Sequence, residues 1–228
     1  MTLQQVDILF QLIVFLFAIS IHESAHAWMA NRRGDPTAYM LGRVTLNPLK
    51  HIDPVGTILL PAIGLFAGGW IFGWAKPTPV NPRNFRQPVL DDVLTSVAGP
   101  ASNFILAFVA VAILLVISFS SSLGQEIVHG TLFGYTGGNS PLVPVARFLY
   151  QLLVINVVLA VFNLIPVPPL DGSHVLRHLL SGPLLMIYDR IGIFGLILLV
   201  VMDNRTHLLS RLFSPFLRFF VGLVIRLR

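Results

Sequence analysis

Two histidines and a glutamate, His22, Glu23 and His26, form the pattern H-E-x-x-H within Ile21-His22-Glu23-Ser24-Ala25-His26-Ala27. On a helix His22 and His26 are i and i+4 and lie one above the other on one face, the spacing at which two imidazoles can bind one zinc ion. Glu23 sits beside them, placed to act on a metal-bound water. The pattern fixes few positions and arises by chance in soluble proteins, so its surroundings decide its meaning. Here it closes an apolar run that starts at about Val6. A charged side chain at the centre of a lipid-facing helix costs about 2.5–3.5 kcal/mol on insertion scales, so an intramembrane carboxylate faces a protein interior and serves a function.

The chain contains no cysteine. Structural disulfides are excluded, and a zinc site has to be built from His, Asp and Glu. A catalytic zinc keeps three protein ligands and leaves its fourth position to water, whose pKa falls to about 7 on the metal. His22, His26 and Asp171 make such a set, with one Zn2+ per chain. Glu23 then takes the proton from that water as it attacks a peptide carbonyl and later delivers it to the leaving amine.

Other polar residues compete for attention. His174 and His178 are also i and i+4, but Arg177 lies between them and no carboxylate follows the first. They read as solvated or capping histidines at the membrane surface rather than as ligands of a second metal. His51, before Asp53-Pro54, and His129 read as turn or surface residues. Gly172-Ser173-His174 has no base at a defined spacing, which disfavours serine chemistry. Asn103 and Asn163 lie in apolar runs, where polar side chains need partners. Their amides either bond between helices or hold a substrate strand or the oxyanion of a tetrahedral intermediate.

The elements that must position these residues are membrane segments. Of 228 residues 55% are hydrophobic and 11% charged, with a mean hydropathy of +0.79, the profile of an integral membrane protein. The net charge of +5 is scattered over short connections between apolar runs, which fits retention at the cytoplasmic face and not a nucleic-acid partner. The run 6–30 makes a helix of roughly 37 Å, enough to cross the hydrocarbon core. No basic residue precedes it and no small-residue cleavage site follows it, so it is expected to be a retained span. It stops at Asn31-Arg32-Arg33-Gly34-Asp35-Pro36, and the arginines assign that end to the cytoplasm. A second span covers 93–119, the polar segment 120–140 is an external loop, and a third span over 143–165 returns toward the cytoplasm. Pro166, Pro168 and Pro169 break it just before Leu170-Asp171-Gly172, which brings Asp171 to the depth of His22 and His26.

Residues 55–74 are interrupted by Pro61, Gly64, Gly68, Gly69 and Gly73 and bracketed by basic residues; they either dip in as a re-entrant hairpin or span. Residues 37–47, β-branched and aromatic around Gly42, suggest a short surface strand pair. Residues 183–202 offer a further span interrupted by Asp189 and Arg190, and 208–225 mixes Arg211 and Arg218 with Leu and Phe and reads as interfacial. The expected fold is an all-α polytopic membrane protein with about four to six membrane segments, including a re-entrant hairpin, and short surface β-strands. One domain covers 1–228, with a core over about 6–183 and a C-terminal span and interfacial tail over 184–228.

In chain order, His22-Glu23-x-x-His26, then Ala98-Gly99-Pro100 with Asn103, then Asn163 leading to Pro166-x-Pro168-x-Leu170-Asp171-Gly172 together resemble the site-2 protease family of intramembrane zinc metalloproteases. The resemblance runs over roughly residues 12–176. His51-Ile52-Asp53-Pro54-Val55-Gly56-Thr57 and Gly73-Trp74-Ala75-Lys76-Pro77 resemble a compact prokaryotic subgroup. The resemblance implies His22, His26 and Asp171 as zinc ligands, Glu23 as catalytic base, Asn163 as a substrate or transition-state contact and Asn103 as a candidate substrate contact. It also implies a multi-pass inner-membrane protein whose active site lies in the bilayer toward the cytoplasmic face and acts on membrane-spanning proteins or peptides. Gating by a PDZ or CBS domain is not expected, since no stretch is long and polar enough to encode one. The competing expectation is a non-catalytic membrane protein that binds or transports a metal ion. Residues 8–18 offer only Gln11 as a polar side chain, which disfavours a path for ions across the first span.

Overall fold

A computed structural model describes residues 3–60, 63, 73–135 and 140–226. Its α-helices are α1 (Leu3–Arg33), α2 (Thr37–Met40), α3 (Pro88–Ser120), α4 (Ser122–Phe133), α5 (Leu142–Asn163), α6 (Gly172–Arg177), α7 (Gly182–Thr206) and α8 (Leu208–Arg226). The fold is all-helical and polytopic. Among the described residues α1, α3, α5 and α8 are each long and apolar enough to cross a bilayer, and α7, bent by 68° around Gly192, adds a fifth candidate.

The frame is α1, α3 and α5. Arg33 Nε lies 3.3 Å from Asp91 Oδ1, which joins the end of α1 to the start of α3, so these two helices run antiparallel. Arg147 Nη1 lies 2.8 Å from Asp7 Oδ2, and Phe10 meets Phe148 edge-on at 5.5 Å. Those contacts join the starts of α1 and α5, which run parallel. The end of α5 therefore returns to about the level of Glu23 on α1, since 147–163 and 7–23 are equal lengths of helix. Ala107, Ala110 and Leu114 on α3 and Ala146, Leu149, Leu153 and Val157 on α5 recur at helical spacing and form the buried seam. Small residues at 107, 110 and 146 let the backbones approach, and in lipid this close packing, rather than removal from water, holds helices together.

Phe213, Phe220 and Val224 carry α8 onto the same seam, with Phe220 stacked on Phe104 at an interplanar angle of 3°. Arg211 and Arg218 fall on the opposite side of that helix by its 100° per residue. The tail is thus more than interfacial: its charges share one face and leave an apolar stripe that α3 and α5 accept.

The strand pair expected over 37–47 is absent, and no strand occurs among the described residues. Asp35 accepts from the Thr37 amide at 3.2 Å and from the Thr37 hydroxyl, which starts the single turn of α2. Gly42, at φ 65°, then reverses the chain. The carbonyls of Arg43 and Thr45 are both met by the Ser24 hydroxyl on α1, so this backbone docks on α1 instead of pairing. Capping and docking outweigh the weak intrinsic preference of the β-branched residues. Within the expected external loop, Ser121 accepts from the Gly124 amide at 3.0 Å and Gly134 closes a helix at φ 79°, so α4 stands where a loop was expected.

Residues 61–62 and 64–72 lie outside the described residues, and with them the choice between a dip and a span over 55–74. The described ends of that segment meet. The Trp74 amide donates to the Gly56 carbonyl at 3.1 Å, and the Thr57 hydroxyl donates to the Trp74 carbonyl at 2.8 Å. From there an irregular segment, 73–81, runs past α1 to Asp35, whose Oδ2 accepts from the Asn81 amide at 2.7 Å.

Candidate metal centre

His22 and His26 project from one face of α1 toward α3 and the turn that follows α5. Their ring centroids are 4.7 Å apart and their Nε2 atoms 3.1 Å apart. Each ring is oriented through its other nitrogen. His22 Nδ1 donates to Asn103 Oδ1 at 2.6 Å, and His26 Nδ1 donates to the Thr95 carbonyl at 2.7 Å. A carbonyl oxygen can only accept, so in the neutral imidazoles the proton sits on Nδ1 and the lone pair on Nε2. Asn103 is itself fixed: its Nδ2 donates to Asn156 Oδ1 at 2.8 Å and to the Ala18 carbonyl at 3.4 Å.

The third group arrives by the proline break. Pro166, Pro168 and Pro169 cannot continue α5, and the chain turns into α6 with Asp171 at its N-cap position. An aspartate there commonly caps its own helix, yet this carboxylate makes no cap bond. It faces the histidines, with Oδ2 3.1 Å from His22 Nε2 and Oδ1 3.4 Å from His26 Nε2. Two glycines make room. A Cβ on Gly99 would run into His26 Nε2 and lie 2.6 Å from His22 Cε1, and a Cβ on Gly172 would run into the Leu164 carbonyl. Ala98-Gly99-Pro100 is thus where the α3 backbone passes directly against the imidazoles.

Two Nε2 lone pairs and a carboxylate converge so that one ligand atom from each residue lies within 4.8 Å of the others. Three acceptors facing one another without a proton between them repel, and Asp171 Oδ2 is buried without a hydrogen-bond partner. A divalent cation removes both problems. Nitrogen and carboxylate donors without sulfur fit zinc, and among the described residues no fourth His, Asp or Glu joins the set.

Glu23, the next residue on α1, is not part of the triangle. Its Oε2 accepts from the Thr78 amide at 2.8 Å and lies 2.7 Å from the Thr78 hydroxyl. Asn103 is fully buried with both amide hydrogens engaged, and it meets His22 where three helices come together. Asn163 is half-buried at the end of α5 and donates to the Leu159 carbonyl one turn back at 3.0 Å. His174 and His178, expected to be solvated or capping, instead share Asp92: Nδ1 of one and Nε2 of the other lie 3.2 and 2.7 Å from its Oδ2. That clamp fastens α6, and hence Asp171, to α3. The hydrogen bond that His174 donates to Asp92 raises its pKa above the ordinary value, against the opposing effect of burial. His51 is not a surface residue; it is fully buried, with Nε2 3.0 Å from the Thr45 carbonyl. His129 lies on α4, 3.1 Å from the Tyr135 hydroxyl.

Thr78, Thr95, Asp92 and Asn156 were not singled out by their residue types. Thr95 acts through its backbone carbonyl, which no side chain announces. Asn156 did carry a signal, since an asparagine inside Leu153-Val154-Ile155-Asn156-Val157-Val158 needs a partner as much as Asn103 does.

A family model, that of peptidase family M50, matches residues 10–201. The Bacillus subtilis protein YwhC, which bears the name of a zinc metalloprotease, is 42% identical over 167 residues, covering 73% of this chain and 67% of its own. Rip2 of Mycolicibacterium smegmatis, named in the same way, is 30% identical over 164 residues, covering 72% of this chain and 54% of its own. Rip2 of Mycobacterium tuberculosis H37Rv is 28% identical over 163 residues, again 54% of its length. The chain thus spans about half the length of the Rip2 proteins. No solved structure matches it significantly.

Proposed function

The chain belongs to peptidase family M50, and on that premise we propose that it is a zinc endopeptidase that cleaves membrane-spanning proteins or peptides within the bilayer. The convergence of His22 Nε2, His26 Nε2 and the Asp171 carboxylate is the strongest support. Zinc, when held by those three residues, supplies a Lewis acid that polarises the scissile carbonyl and lowers the pKa of water. Asn103 and the Thr95 carbonyl keep the two ligating nitrogens turned inward. Glu23, anchored by Thr78 through Oε2, keeps Oε1 to take a proton from the attacking water and hand it to the leaving amine. Asn163 holds the substrate or its oxyanion after its amide turns away from Leu159.

Arg32 and Arg33 at the end of α1 favour a cytoplasmic location for that end, in the inner membrane. His26 precedes Arg33 by about two turns of helix, roughly 10 Å along the axis, which puts the chemistry inside the bilayer on that side. The test is cleavage of a transmembrane substrate by the purified protein and by Glu23→Gln. We expect activity to fall by about 10²–10⁴-fold with bound zinc retained. Activity that survives the substitution sinks this mechanism.

A further inference from the structure

Three cations stand apart from every acid in the chain. All ten acidic residues are among the described residues, and none forms an ion pair with Arg43, Lys50 or Lys76. Asp53, the nearest acid in sequence, accepts from the amides of Val55 and Gly56 and caps the helical turn Pro54–Leu59. Arg43 is only 8% exposed. Among the described residues its guanidinium makes one hydrogen bond, from Nη1 to the Lys50 carbonyl at 2.6 Å. A buried charge is ordinarily paired, and the planar fork of an arginine is matched by a carboxylate or a phosphate.

These three residues line one cavity of about 530 Å³ together with Leu41, Leu49 and Ile52. Leu41 and Leu49 are 59% and 74% exposed, so an apolar rim adjoins the basic wall. The cavity is lined by the connection between α1 and α3, outside the candidate spans, and its Arg43 wall meets α1 at Ser24. Its walls are held in place. The Lys76 amide donates to the His51 carbonyl at 2.8 Å, His51 Nε2 reaches the Thr45 carbonyl, and the Ser24 hydroxyl ties Arg43 to α1. The backbone that carries the three cations is therefore fixed around one space, with Arg43 buried and Lys50 and Lys76 exposed.

We propose that this cavity binds the phosphate of an anionic membrane lipid, with Arg43, Lys50 and Lys76 around the phosphate and Leu41, Leu49 and Ile52 against the apolar part of the molecule. A free phosphate offers the same oxyanion but nothing for the leucines. The amphiphilic lining and the position between two spans select the lipid.

The test is native mass spectrometry of the full chain in neutral detergent with phosphatidylglycerol added in steps. Lys50→Ala/Lys76→Ala is compared with Arg83→Ala/Arg86→Ala, which removes two charges from the same connection outside the cavity. Lys50→Arg/Lys76→Arg keeps the charge, and zinc content reports that each variant is folded. We expect one retained lipid on the native chain, bound about thirtyfold more weakly by the Lys50→Ala/Lys76→Ala variant. The Arg83→Ala/Arg86→Ala and Lys50→Arg/Lys76→Arg variants should stay within about twofold of native. Equal loss in both alanine variants, or loss in neither, overturns the site. Displacement of the lipid by inorganic phosphate at equal concentration overturns the choice of a lipid.

Discussion

Thr78 and Glu23, 55 residues apart, are joined at three points: the Thr78 amide donates to Glu23 Oε2, and its hydroxyl lies 2.7 Å from Oε2 and 3.0 Å from the Glu23 carbonyl. The hydroxyl has one proton for two acceptors, so the amide is the constant anchor and the hydroxyl a shared one. One carboxylate oxygen is thereby tethered and the other left for chemistry. Thr78→Val should lower the cleavage rate about 10–100-fold with zinc content unchanged, and Thr78→Ser should restore it. Single-turnover rates alongside metal analysis decide this; an undiminished rate in Thr78→Val would show that the tether is irrelevant.

The chain His22, Asn103, Asn156 predicts a metal-affinity defect without loss of a ligand. Asn103→Leu leaves His22 Nδ1 buried without its acceptor, a loss worth about 1–3 kcal/mol. Zinc affinity, read by chelator competition, should weaken about 10–100-fold. Asn156→Leu should weaken it less, because it acts one bond further out. Equal zinc affinity in the native and Asn103→Leu proteins would contradict the role assigned to this amide.

Gly99→Ala should abolish zinc binding more completely than its size suggests. The added methyl points into both imidazoles, and the neighbour it meets is the ligating edge of His26, which cannot retreat without leaving Asp171. Bound zinc per chain is the measure. Stoichiometric zinc in a folded Gly99→Ala protein would mean that α3 can move away at little cost.

Asp35 gives the fold an acid limit. Burial alone would raise its pKa, but hydrogen bonds from the Thr37 hydroxyl, the Asn81 amide, the Asn84 side chain and the Thr37 amide together hold it below the ordinary carboxylate value. A depressed native pKa stabilises the fold above the unfolded value of about 3.9, and that stability is lost as pH falls through the native pKa. Thermal unfolding in detergent should therefore show a midpoint that drops below about pH 4. Asp35→Asn should melt lower at neutral pH and respond less to acid. An identical acid response in both would exclude Asp35 as the titrating group.

How much of this was legible in the residues follows the range of the physics involved. Two ligands four residues apart are a property of one helix, so His22 and His26 could be paired, with Glu23 beside them, from spacing alone. The absence of cysteine confined the candidates for a third ligand to a few carboxylates and imidazoles, and the order of apolar runs with a proline break pointed to Asp171, which the structure brings beside His22 and His26. Spans are also local, since twenty apolar residues report their own environment.

Which groups meet across elements is set by the packing of the helices and not by any one segment. Whether Asn103 faces a substrate or His22 depends on the rotation of α3 against α1, and the sequence carries no signature of that angle. The tautomer of His26 depends on the Thr95 backbone carbonyl, a group every residue has. The partner of His174 and His178 is Asp92 because α6 folds back on α3. Residues 37–47 have strand-forming types, yet Asp35 and Ser24 capture their backbone first. Periodicity and composition encode what one segment prefers; capping, orientation and charge pairing are set by the packing of segments far apart in the chain.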